Sequence, residues 1–153
     1  MLCTSPPTRW AFFGGTAHAI CLILPDKYME IEGNSLLLIP RLNKKTNTAI
    51  DHFLLSLATD QAHGSIGIVL SGEGSDGAEG LKILKEKGGI TLAQTPATAA
   101  SKAMPITAIK IDHVDYVLSP KEIAEKSGSK EWCKTNIAKS SLNILMIKKI
   151  GST

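Results

Sequence analysis

The stretch that decides the fold is residues 66–84, IGIVLSGEGSDGAEGLKIL. It starts with Ile66–Leu70, a short apolar run of the kind found in strands that are buried on both faces. The glycine-rich turn Gly72–Gly77 follows, and the apolar spacing after it predicts a helix that ends at Gly88 and Gly89. A strand, a tight turn and a helix in this order predict one unit of a parallel sheet.

Similar units extend in both directions along the chain. Further strands are predicted at 19–24, 90–93 and 114–118, and helices at 49–58, 104–109 and from Pro120 onward. Two extended runs around Gly33 and Asn34 predict a β-hairpin. The sequence therefore predicts an α/β fold: a doubly wound, mostly parallel sheet with helices on both faces and one β-hairpin.

The chain divides into three parts. Residues 1–19 stay unassigned, residues 20–126 form the predicted α/β domain, and residues 127–153 form a basic and apolar tail. This tail is predicted to be a surface helix or a loose segment. However, its run at 144–147 is apolar on all sides, which favours burial. We therefore expect the tail to pack against the core or against a second copy, so self-association is predicted.

Composition excludes several classes of protein. The 153 residues are 43% hydrophobic and 20% charged with a net charge of +3, and aromatic residues make up only 5%, so no nucleic-acid partner is expected. No apolar stretch approaches the roughly 18 residues of a membrane-spanning helix, so no membrane insertion is expected. The three cysteines, Cys3, Cys21 and Cys133, are far apart. They predict no disulfide framework, and a cytoplasmic location fits best.

The turn after residue 70 has three interpretations, and the first is a dinucleotide site. Glycines at 72, 74 and 77 match GxGxxG between a strand and a helix. Two features disfavour it. Gln94 stands near the position where an acidic partner is expected, and the carboxylate of Asp76 would repel a pyrophosphate at the helix N-terminus.

The other two interpretations assign a role to Asp76. As a structural residue, it would cap the helix starting at Gly77, with Glu79 completing a capping box. As a catalytic residue, it would hold an imidazole in one tautomer, as the acid of a Ser-His-Asp triad does. These two roles are compatible.

Residues 68–81, IVLSGEGSDGAEGL, resemble the signature of the chemotaxis protein-glutamate methylesterase (CheB-type) catalytic domain. Other motifs similar to that family follow in its order: LPDKYM at 24–29, ID and SLA within 50–58, AQ at 93–94, MP and AI within 104–109, and VDYVLSP at 114–120. The resemblance implies a doubly wound sheet and hydrolysis of glutamate methyl esters on chemotaxis receptors, with release of methanol. It implies Asp76 as the triad acid, methylated receptors as partners and no cofactor.

The resemblance assigns no residue to the other two triad positions. The family's serine lies in a GxSxGG turn that this sequence lacks, and its histidine follows that turn. We predict that His18, His52, His63 and His113 are surface or loop residues. We therefore expect residues 20–126 to be a partial catalytic domain, truncated at the front and inactive or nearly so alone. A non-catalytic module that docks a chemotaxis partner and a gene fragment remain alternatives.

Overall fold

The computed structural model describes residues 9–11, 23, 26–33, 35–41, 48–62, 64–129 and 143–147. The elements in chain order are β1 (Arg9–Ala11), β2 (Lys27–Glu32), β3 (Ser35–Pro40), α1 (Ala49–Gln61), β4 (Ser65–Val69), α2 (Ala78–Glu86), β5 (Ile90–Gln94), a short 3-10 helix (Pro96–Thr98), α3 (Ala103–Lys110), β6 (Tyr116–Leu118), α4 (Pro120–Gly128) and β7 (Asn143–Ile147).

The central layer is a parallel sheet in the order β6-β5-β4-β7. Side chains alternate between its faces. Ile66 and Ile68 pack with Leu92 and with Ile123 of α4 on one face. Val69, from the other face of β4, belongs to a second core cluster formed with α1, α2 and α3. The predicted parallel sheet with helices on both faces is confirmed.

The helices α1 and α2 pack directly against each other. Five apolar side chains of α1 are buried, which confirms the predicted helical spacing: Ile50, Phe53, Leu54, Leu57 and Ala58. Glycine allows the close approach, because a Cβ on Gly80 would lie 2.6 Å from the Cβ of Leu54. Gly67 of β4 has the same role under α2, since its Cβ would meet the side chain of Leu81 at 2.7 Å.

A separate antiparallel sheet, in the order β1-β3-β2, carries the predicted hairpin. Gly33 in its turn has a φ of +57°, a backbone conformation that glycine adopts without strain. The hairpin is bonded to α1: Ile31 N–H donates to Ser56 Oγ at 3.0 Å, and Gly33 N–H donates to Asp60 Oδ1 at 2.8 Å. The antiparallel pairing of β2 with β3 confirms the predicted hairpin, and the bonds to Ser56 and Asp60 place it beside α1.

Two predictions need comment. The surface helix or loose tail predicted after residue 126 is wrong for residues 143–147, because they form β7 and pair in parallel with β4. Through this pairing, residues 143–147 form the edge of the central sheet next to β4. The strand predicted at 19–24 falls almost entirely outside the described residues; Ile23, which is described, lies in no strand and packs against the core cluster that contains α1.

Candidate active site

The candidate site is the loop from Ser71 to Gly77, which connects β4 to α2 at the carboxyl end of a parallel strand. This is the edge at which open α/β sheets bind ligands. Gly74 and Gly77 have φ values of +86° and +97°, so the loop uses backbone conformations that other residues rarely adopt. The tip of the loop is exposed, whereas Asp76 is only 5% exposed. The loop therefore turns one carboxylate inward.

The first residues of this loop are fixed to the segment that follows β5. Ser71 N–H donates to Gln94 Oε1 at 2.8 Å, and Ser101 N–H donates to Ser71 Oγ at 2.9 Å. Gly72 exchanges two backbone bonds with this segment, since its N–H donates to Ser101 O at 3.2 Å and its carbonyl accepts from Met104 N–H at 3.1 Å. Gln94, which counted against a dinucleotide site, thus supports the loop.

The carboxylate of Asp76 lies at the N-terminus of α1. Its Oδ2 accepts a hydrogen bond from Ile50 N–H at 3.2 Å, and its Oδ1 accepts one from Asp51 N–H at 2.9 Å. The first N–H groups of a helix have no partner within the helix and carry a partial positive charge. Helix α1 therefore both orients and electrostatically favours the Asp76 anion.

The predicted capping of α2 by Asp76 is wrong. Helix α2 begins at Ala78 with Gly77 as its N-cap residue, and no cap bond comes from a side chain at that position. Asp51 of α1 takes this role instead, because its Oδ1 accepts from Gly77 N–H at 2.9 Å and from Gly80 N–H at 2.8 Å. Glu79 completes no capping box: it is exposed and pairs with Lys82 at 3.4 Å.

The N-terminus of α1 thus binds Asp76 of the loop before α2, and the N-terminus of α2 binds Asp51 of α1. We call these four bonds the crossed caps: Asp76 to the amides of Ile50 and Asp51, and Asp51 to the amides of Gly77 and Gly80. They also remove the dinucleotide interpretation. The amides at the start of α2 that would bind a pyrophosphate already bind the carboxylate of Asp51.

The side chains of the two described histidines make no hydrogen bond to residues 71–77. His52 is in α1, so its prediction as a surface or loop residue holds only in part: its side chain is 34% exposed, Nε2 bonds to Glu30 Oε1, and its ring stacks on Tyr28 with centroids 4.4 Å apart. His113 is half-buried before β6, and its carbonyl accepts from Thr91 Oγ1 at 2.7 Å. His18 and His63 lie outside the described residues.

No three His, Cys, Asp or Glu side chains among the described residues form a group that could hold a metal ion. No helix among them is both long and apolar enough to cross a bilayer.

Comparison with known proteins points to one family. A family model described as CheB methylesterase matches residues 16–127. A putative protein-glutamate methylesterase/protein-glutamine glutaminase of Leptospira interrogans is 53% identical over 60 residues, which is 39% of this chain and 31% of that protein. The protein-glutamate methylesterase/protein-glutamine glutaminase of Pyrococcus horikoshii is 35% identical over 105 residues, which is 65% of this chain and 28% of that protein.

A solved structure supports the same fold. The crystal structure of the Thermotoga maritima CheB methylesterase catalytic domain matches with a TM-score of 0.59 and 23% identity, over 72% of this chain and 59% of that one. At this identity the likeness concerns the fold. The chain spans less than a third of the length of the two sequence relatives above.

Proposed function

This chain belongs to the CheB methylesterase family, and on that basis we propose that it contributes the acid of a Ser-His-Asp triad, Asp76, to the hydrolysis of glutamate methyl esters on chemotaxis receptors. The relatives carry the double name of methylesterase and glutaminase. Both reactions are acyl transfers from a glutamyl carbonyl group to water, so one triad suits either leaving group. The reaction would take place in the cytoplasm.

The observation that carries the proposal is the placement of the Asp76 carboxylate. It is buried, it follows a strand at the carboxyl edge of the sheet, and two backbone amides of α1 hold its oxygens. A triad acid must stay ionised and fixed while it orients an imidazole. A carboxylate can accept about four hydrogen bonds, so the two from α1 are compatible with one from an imidazole.

In the proposed reaction, a serine Oγ attacks the ester carbonyl while an imidazole takes its proton. The tetrahedral intermediate collapses, the imidazolium protonates the departing methoxide, and methanol leaves. Water then attacks the acyl-enzyme with the same imidazole as base, which releases glutamate and restores the serine. Asp76 keeps the imidazole in the tautomer that can accept the serine proton, and it stabilises the cation that forms.

The serine and the imidazole would come from another polypeptide segment. The 153 residues contain no GxSxG sequence, and a triad without its nucleophile keeps only the residual catalysis of its surroundings. We therefore predict that the purified 153-residue chain releases no methanol from methylated receptors above the rate of its Asp76→Ala variant.

A chimera supplies the positive test. A segment with a GxSxGG turn, taken from an active protein-glutamate methylesterase, would be joined to the 153-residue chain, and methanol release from methylated receptor would be measured. Asp76→Ala in the chimera should lower kcat by about three to four powers of ten, the scale known for a triad acid.

Asp60→Ala is the matched control, because Asp60 also accepts a backbone N–H at 2.8 Å but bonds to the hairpin. It should leave kcat within about twofold. A folded chimera whose activity survives Asp76→Ala would contradict the proposal. A folded chimera without activity, together with receptor binding by this chain, would favour the non-catalytic module instead.

A further inference from the structure

We infer that Asp51 is a positioning residue for Asp76, an inference that rests on the proposed function for its catalytic meaning. Asp51 takes part in the crossed caps on both sides. Its backbone N–H donates to Asp76 Oδ1 at 2.9 Å, and its side-chain Oδ1 accepts from Gly77 N–H, next to Asp76 in the chain, at 2.9 Å. Asp51 therefore holds the candidate acid, Asp76, through its backbone N–H. It holds Gly77, the residue after Asp76, through its side chain.

Geometry couples these bonds. Helices α1 and α2 lie very close at this point, because a Cβ added to Gly80 would lie 3.1 Å from the Cα of Asp51 itself. The Gly80 N–H donates to Asp51 Oδ1 at 2.8 Å across this contact. If Asp51 loses its carboxylate, the start of α2 loses its acceptor, and the loop that ends at Gly77 can move away from α1. Asp76 would then leave the amides that orient it.

Electrostatics support the same arrangement. Two carboxylates close together would normally repel, yet each lies at the N-terminus of a helix, where a negative charge is favoured. Asp76 lies at the N-terminus of α1, and the Asp51 carboxylate lies at the N-terminus of α2. A side chain without a hydrogen-bond acceptor at position 51 would therefore weaken the attachment between the two helices as well as the start of α2.

A purely structural role for Asp51 makes a different prediction. If Asp51 only capped α2, its removal would affect the amides of Gly77 and Gly80 and leave that of Ile50 unchanged, since Ile50 N–H donates to Asp76. If Asp51 positions Asp76, the amide of Ile50 must respond too. That amide is therefore the informative reporter.

Amide hydrogen exchange of the 153-residue chain, measured by NMR, tests the inference without any catalysis. In Asp51→Ala we expect exchange at Gly77, Gly80 and Ile50 to become about tenfold faster or more, the scale of one lost hydrogen bond to a charged group. Leu92 in β5 reports global unfolding, and rates are compared relative to it. Asp60→Ala should change none of the three ratios.

Asp51→Asn provides the conservative rescue, because its amide oxygen can still accept both N–H groups. We expect it to restore most of the protection at all three amides. The inference is overturned if Ile50 keeps its protection relative to Leu92 in Asp51→Ala, or if Asp51→Asn and Asp51→Ala behave alike.

The chimera adds the catalytic readout. Asp51→Ala there should lower kcat about tenfold or more and leave KM within about twofold, because orientation of the triad rather than substrate binding is lost. An inactive chimera would reject the proposed function and leave the exchange experiment to decide the positioning role. An active chimera with unchanged kcat in Asp51→Ala would reject the positioning role alone.

Discussion

At the residue scale, Gly80 sets the distance between α1 and α2. An alanine there would gain about 1 kcal/mol of helix propensity over glycine. Its Cβ would, however, lie 2.6 Å from the Cβ of Leu54 and 3.1 Å from the Cα of Asp51. The second contact is with backbone, which cannot rotate away, so overpacking of about 1–3 kcal/mol outweighs the gain.

We therefore predict that Gly80→Ala lowers the free energy of unfolding by up to about 2 kcal/mol, as measured by urea denaturation. Glu79→Ala, at the exposed neighbouring position of α2, should change stability by about 0.5 kcal/mol or less. If Gly80→Ala is as stable as the unmodified chain or more stable, the two helices have room to separate and the close approach is not a constraint.

The crossed caps show which contacts of single residues the sequence could predict and which it could not. The strand, the glycine-rich turn after it and the place of Asp76 in that turn could be predicted, because the pattern that indicates them is local. The acceptor for the α2 amides could not, since Asp51 precedes Gly77 by 26 residues and only tertiary packing brings them together. The Asp76-x-x-Glu79 spacing fits a capping box, but a φ of +97° at Gly77 directs the chain so that Asp76 faces α1.

At the element scale, α4 begins with a capping box that spacing alone could have identified, as Ser-Pro-Lys-Glu at 119–122. Ser119 N–H and Oγ–H both donate to Glu122 Oε2, at 2.7 and 2.6 Å. The bond from the Ser119 side chain, followed by that from its backbone, lowers the pKa of Glu122 below its ordinary value of 4.5. Pro120, predicted to open this helix, occupies its first turn.

The lowered pKa gives a pH-dependent prediction. A carboxyl whose folded-state pKa is depressed stabilises the fold above its unfolded pKa, and this contribution is lost as the pH falls through the folded value. Glu122→Gln keeps an acceptor but cannot ionise. We expect Glu122→Gln to have a slightly lower Tm at pH 7 and the same Tm as the unmodified chain once the pH is well below 4.5.

Glu125→Gln is the matched control on the same helix. Its carboxylate pairs only loosely with Lys121, at 3.9 Å on an exposed surface, so its Tm difference from the unmodified chain should be near zero across the range. A Glu122→Gln difference that is constant with pH would show that the cap does not depend on ionisation.

The tail is the element that sequence reasoning misjudged. Residues 143–147 are apolar at four consecutive positions, Ile144 to Ile147, which predicts burial but does not distinguish a helix from a strand. The free edge of β4 decides the outcome, because a strand that joins it satisfies backbone groups which a helix would leave unpaired. The residues that form that edge lie 78 residues earlier in the chain, since Ser65 pairs with Asn143.

At the scale of the whole molecule, β7 covers the edge of β4 that β5 does not pair with. All five residues of β4 are buried, and β4 pairs with β5 on one edge and with β7 on the other. Without β7, the backbone groups along the second edge of a core strand would face solvent or another chain. The chain should therefore be less stable and more prone to associate when β7 is removed.

We predict that a chain ending at Ser129 unfolds at a lower temperature than the 153-residue chain and that a larger share of it sediments as dimers or larger species. Leu145→Pro in the full chain isolates the cause. Leu145 stands opposite Gly67 of β4, and proline there removes one backbone N–H and the extended pairing around it. Leu145→Ala keeps the N–H and serves as its control. If the shortened chain and Leu145→Pro are monomers with an unchanged Tm, β7 does not protect the sheet edge. If these two associate and Leu145→Ala does not, backbone pairing by β7 is what protects the edge of β4.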